Sequence, residues 1–112
     1  MKEFYTSVVE LRQPIENQFV TEPYECGWAH EAILFLTLAP DDTYSFDEII
    51  AQPQISPDGI NWTPLAENTI NINKTGLHAI RLTNFGGWLR AELTISGQAR
   101  TAMLTLHMTL KG

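Results

Sequence analysis

Gly87-Trp88-Leu89-Arg90-Ala91-Glu92-Leu93-Thr94-Ile95-Ser96-Gly97-Gln98-Ala99-Arg100-Thr101-Ala102-Met103-Leu104-Thr105-Leu106-His107-Met108-Thr109-Leu110 alternates apolar and polar residues almost throughout. In Arg100–Leu110, Ala102, Leu104, Leu106, Met108 and Leu110 fall on one side. Thr101, Thr105, His107 and Thr109 fall on the other, with Met103 the exception. Gly87–Ser96 repeats the pattern, with Leu89, Ala91, Leu93 and Ile95 on one side and Trp88, Arg90, Glu92, Thr94 and Ser96 on the other. A period of two marks half-buried β-strands, because successive side chains leave the pleat in opposite directions. Gly97-Gln98-Ala99 is a short turn in which glycine can take a positive φ. The pattern predicts a β-hairpin over the C-terminal quarter.

Upstream, strands are expected at Glu3–Leu11, Glu31–Ala39, Glu48–Ser56 and Leu77–Asn84, with shorter ones at Asn61–Leu65 and Thr69–Asn73. Glu31–Ala39 is apolar on both faces, since Leu34, Leu36 and Leu38 alternate with Ile33 and Phe35. Such a strand is expected at the centre of a sheet, covered on both sides. Pro53 interrupts the ladder of the next strand and places it at an edge or a bulge. Turn signals recur about every ten residues, and no segment sustains a helical period. The expected fold is an all-β antiparallel β-sandwich of seven or eight strands, with jelly-roll topology, in one domain spanning residues 1–112. The irregular segment is Gln13–Trp28, with Pro14, Pro23 and Gly27, which reads as a long loop carrying Phe19, Tyr24 and Trp28. Long loops in small domains are usually functional or packed against something.

Composition narrows the function classes. A chain of 112 residues can build one hydrophobic core. Its net charge of −6 argues against nucleic acid and anionic membranes, which need a basic patch. The single cysteine, Cys26, excludes an internal disulfide and any multi-cysteine zinc site. Met1 to Ser7 contains no apolar run of a signal peptide, and no stretch is long enough to span a bilayer as a helix. A cytoplasmic location is the default expectation, with a virion-like assembly as the other setting. The two sequons, at Asn61 and Asn73, are read as chance in such a setting.

No catalytic constellation stands out, and no catalytic residue, cofactor or metal ligand is assigned. His30, His78 and His107 share no metal-binding spacing. Asp41, Asp42, Asp47 and Glu48 lack the EF-hand pattern and read as solvated loop acids. Cys26 has no diagnostic context, and G-x-S-x-G is absent. The aromatic residues carry the binding signal. Trp28, Trp62 and Trp88 each stand at or just after a turn. Two readings stay open: exposed platforms for sugar rings or partner proteins, or plugs for the end of the sandwich. The candidate binding surface is Phe19, Tyr24, Trp28, Trp62, Trp88 and Arg90.

The stretch Ile55-Ser56-Pro57-Asp58-Gly59-Ile60-Asn61-Trp62-Thr63 resembles the S-x-D-G-x-x-W segment of discoidin-like domains and small bacteriophage structural jelly rolls. Leu89-Arg90-Ala91-Glu92-Leu93 is similar to the L-R-x-E-L strand that closes discoidin-like domains. This resemblance implies a non-catalytic jelly roll that binds or assembles, and it transfers no ligand-binding residue. Charge is uneven along the chain. Residues 1–58 hold 11 acids and 2 bases, a balance of −9, whereas residues 59–112 hold 2 acids and 5 bases, a balance of +3. If the halves form separate faces, the acidic face of one copy can meet the basic face of another. The leading expectation is a non-catalytic structural or assembly-forming subunit, as a homo-oligomer or with a partner protein. The alternatives are a glycan- or small-molecule-binding module using the tryptophans, and a small metal-dependent β-barrel enzyme using the histidines.

Overall fold

Alternation of side chains becomes ten strands in the computed structural model, which describes residues 4–112. The expected strand start at Glu3 and the first residues of the N-terminal reading lie outside the described residues. The strands are β1 (Phe4–Glu16), β2 (Gln18–Val20), β3 (Tyr24–Glu25), β4 (Glu31–Leu38) and β5 (Glu48–Ser56). They continue with β6 (Thr63–Pro64), β7 (Ile70–Ile72), β8 (Gly76–Thr83), β9 (Trp88–Ser96) and β10 (Thr101–Lys111). A 3-10 turn at Ala66–Asn68 is the one helical element among the described residues.

One sheet has the order β1-β10-β4-β8 and the other β2-β9-β5-β6, all antiparallel. Strands β2 and β3 lie end to end along β9, and β6 and β7 lie end to end along β5. Ten strands therefore fill eight lanes, four against four. That interleaved order is a jelly roll, in which most connections cross from one sheet to the other. The expected sandwich and its strand count hold in this form. Leu34, Leu36 and Leu38 of β4 and Leu104, Leu106, Met108 and Leu110 of β10 fill one side of the core. Ile49 and Ala51 of β5 and Leu89, Ala91 and Leu93 of β9 fill the other, all fully buried.

The C-terminal hairpin does not form. β9 belongs to the six-stranded sheet and β10 to the four-stranded one. Hairpin and crossing present the same alternation. In a hairpin the two apolar rows lie side by side; across a sandwich they face each other. The crossing is braced by the β4–β5 connection: Asp47 N–H donates to Ser96 O at 2.8 Å and Thr101 N–H to Ser45 O at 2.9 Å. Gly97 (φ 127°) and Arg100 (φ 56°) make the bend. Beside it, Asn17 (φ 57°) carries β1 into β2, and its N–H donates to Arg100 O at 3.0 Å.

Residues 13–28 are not a loop either. β1 runs on to Glu16 through irregularities at Val8/Glu10 and Glu10/Gln13, and the segment then adds β2 and β3 to the edge of β9. Thr21 extends that ladder, its N–H donating to Ala91 O and its Oγ1 accepting from Ala91 N–H, both at 2.9 Å. Pro53 also sits differently. β5 is internal, but the gap between its short neighbours β6 and β7 falls beside Pro53. Pro53 O accepts from Leu65 N–H at 2.9 Å, so its missing N–H points toward that gap and not toward β9. Finally, both chain halves supply strands to both sheets, so the −9 and +3 balances do not become two faces.

Candidate functional site

The three tryptophans lie at one end of the sandwich, where β5 ends and β4 and β9 begin. Ser56-Pro57-Asp58-Gly59-Ile60-Asn61-Trp62 builds the turn there. Ser56 Oγ donates to Asp58 Oδ1 (3.0 Å) and accepts from the N–H of Asp58 (3.2 Å) and Gly59 (2.8 Å). Asp58 Oδ1 also accepts from Ile60 N–H (2.9 Å) and Asn61 N–H (2.8 Å), and Oδ2 accepts from Asn61 Nδ2 (2.8 Å). These donors, led by the Asn61 backbone, hold the Asp58 carboxyl well below the usual carboxylate range. Gly59, at φ 78°, closes on Trp88: a Cβ added there would stand 3.2 Å from indole Cδ2 and Cε2. The positive φ, together with this tight approach to the indole, favours glycine after Asp58 at this turn.

The same turn delivers Trp62 to Arg90. The guanidinium carbon lies 4.1 Å from the ring centroid, and Arg90 Nε donates to Gln54 Oε1 at 2.6 Å. This cation–π stack joins β5, β9 and the turn. Trp28 stands apart, 40% exposed, with Gly112 against its ring. Phe19 and Tyr24 pack against the core from the edge strands β2 and β3, half-buried by their own subunit. The structure thus brings together Trp62, Arg90 and Trp88 of the six candidate residues. Trp62 and Trp88 are half-buried against Arg90 and the Gly59 turn, while Trp28 is exposed.

The groups considered for chemistry are dispersed. His30 precedes β4 at the tryptophan end, and its N–H donates to Lys111 O at 2.8 Å. His78 lies toward the opposite end on β8, with Nε2 3.0 Å from Lys74 O. His107 stands on the outer face of the four-stranded sheet. Among the described residues no three His, Cys, Asp or Glu side chains gather as a metal site would require. Cys26 is fully buried, and burial, with the Glu25 charge adding to it, pushes its thiol up to about 12. Asp41 is held below its ordinary range mainly by Thr43, whose N–H donates to Oδ1 at 2.8 Å, with a smaller contribution from the Arg12 charge.

A stronger feature is the contrast between the two outer faces. That of the six-stranded sheet carries Gln18, Gln52, Gln54, Arg90, Glu92 and Thr94 in its middle, with Val20, Ile50, Trp88 and the Trp62 ring on Arg90 as apolar members. On the four-stranded sheet, antiparallel register sets Val8, His107, Phe35 and Ala79 in one row across all four strands. Ile33, Leu77 and Met103 stand on the same face, and Leu11 lies in the β1 bulge. Leu11, Leu77 and Val8 are 72%, 66% and 50% exposed. Open depressions of about 310 Å³ (Pro14, Ile15, Glu16, Tyr44, Thr101) and about 230 Å³ (among them Glu31, Ile33, Arg81 and Lys111) lie at its two ends.

Sequence reasoning did not assign this face, although its signal was present. Ile33 and Phe35 made β4 apolar on both sides, and Met103 broke the alternation of β10. β4 is central as expected, but no layer of the described chain covers its second face. A two-layer sandwich buries one side of each sheet only.

No protein-family model and no curated protein matches the chain. The architecture itself is that of a jelly-roll β-sandwich. A solved structure of the PBSX exported protein XepA shares it, with a TM-score of 0.59 over 98% of this chain at 11% sequence identity. The chain spans 36% of the length of that protein. No helix among the described residues is long and apolar enough to cross a membrane.

Proposed function

We infer that this protein is a non-catalytic assembly subunit that makes protein–protein contacts through the outer face of its four-stranded sheet. One observation carries this reading: the outer face of the four-stranded sheet gathers Val8, Phe35, Ala79, Ile33, Leu77 and Met103 around His107 and a set of threonines, whereas charged and amide side chains fill the middle of the other outer face. Exposed apolar surface costs free energy in water, and a contiguous patch marks a surface that another protein covers. The likeness to the exported protein of the phage PBSX is in keeping with a phage-related structural role. A glycan-binding role for the tryptophans has less support, because Trp62 is stacked on Arg90 and Trp88 packs against the Gly59 turn, which leaves Trp28 as the exposed ring of the three.

Hydroxyl-radical footprinting tests the reading. Met103, on the face, is labelled in the dilute isolated protein and is expected to be shielded at least about threefold in the native source, which removes most of its exposure. Trp62, at the other surface, serves as the reference. Equal labelling of Met103 in both settings refutes the reading.

A further inference from the structure

We propose that the occupant of the apolar face is a second copy of this chain, packed sheet against sheet about a two-fold axis. The inference rests on the assembly reading and names its partner. Two properties of the face point to self-pairing. The first is charge. Among the described residues, Arg12, Arg81 and Lys111 border the face together with Glu16, Glu31 and Asp41, so charges of both signs are mixed there while the whole chain carries −6. Among the described residues, Glu25, Glu48, Asp58, Glu67 and Glu92 belong to the six-stranded sheet or its connections. Two like-charged copies therefore approach with least repulsion through this surface.

The second property is area. Four strands spaced about 4.8 Å apart, over the eight-residue register shared by β10, β4 and β8, cover about 500 Å². Two copies that covered the whole face would bury about 1,000 Å², the lower bound for a specific interface and the range of weak, reversible association. In an isologous contact residue i meets residue j of the other copy and j meets i, so a two-fold axis through the Val8–His107–Phe35–Ala79 row packs that row against its own copy. The row has no carboxylate, ammonium or guanidinium within it.

Sedimentation equilibrium on the isolated chain at neutral pH is the test. The wild type is expected to move from the 12.6 kDa chain mass toward twice that value, with a Kd between about 1 µM and about 1 mM. Phe35→Glu places a charge at the centre of the row and is expected to weaken the dimer at least about tenfold, a burial penalty of ~1.4 kcal/mol or more. Leu77→Glu, at a largely exposed position that tolerates substitution, is expected to act in the same direction and guards against misfolding of the first variant. Thr94→Glu on the opposite face is expected to dimerise as the wild type does. A wild type that stays monomeric at about 1 mM overturns self-pairing, as does a dimer that both face variants leave intact. A monomeric chain whose Met103 is nevertheless shielded in the native source ends self-pairing alone; an unshielded Met103 ends the assembly reading itself.

Discussion

Gly97→Ala measures the crossing from β9 to β10 directly. The backbone there has φ 127°, which L side chains rarely adopt, and an added Cβ would stand 2.8 Å from Asp47 N and 3.1 Å from Asp47 Cγ. Conformational strain alone costs about 1–3 kcal/mol, and alanine recovers about 0.4–1 kcal/mol through the unfolded state. The overlap adds to this. Asp47 N–H is the donor to Ser96 O, so relieving the contact weakens a bond with a net value of about 0.5–1.5 kcal/mol. The expected cost is about 2–4 kcal/mol, a large share of the 5–15 kcal/mol of a typical domain. Gly76→Ala is the internal standard: φ is 112°, and nothing lies within 4 Å of its added Cβ. That variant reports strain without contact, about 1–2 kcal/mol. Urea unfolding of both variants, with m-values checked for equality, gives the difference. A Gly97→Ala cost equal to that of Gly76→Ala refutes the braced crossing. In a hairpin the same glycine strain would be present, but Asp47 would not be against it.

Two further outcomes follow from titratable groups. Burial, with the Glu25 charge adding to it, pushes the Cys26 thiol up to about 12, so it stays protonated at pH 8, where roughly a quarter of a free cysteine is ionised. A thiol reagent at pH 8 is expected to leave the folded protein unmodified and to react at once in about 6 M urea; rapid labelling of the folded state would contradict the burial. Asp58 has a depressed folded pKa, so its stabilisation is present above the unfolded carboxylate value near about 4 and is lost as pH falls below it. Asp58→Asn is expected to be less stable at pH 7 and to lose less stability on acidification. Equal pH slopes for the two proteins would show that the turn network does not form.

Much of the fold was legible because burial repeats with the pleat. The alternation of β9 and β10, the two-sided apolarity of β4 and the regular turns placed most long strands within a few residues. The residues 13–28 were misread because Pro14, Pro23 and Gly27 signal turns, while the hydrogen bonds of Thr21 and the edge of β9 that hold them extended come from distant sequence. The Trp62–Arg90 stack depends on a turn bringing residues 28 positions apart into contact, which no local period encodes.

The sequence by itself determined which side of each long strand is apolar, that the chain is all-β, and that one core suffices. Alternation reports a strand's two faces but carries nothing about which strand lies beside it. Tertiary structure alone decided that β9 and β10 face each other across the core instead of pairing. It also decided that the surplus apolar residues of β4 and β10 meet on one outer face. Both outcomes follow from long-range register, in which backbone hydrogen bonds between distant segments set the neighbours of every side chain.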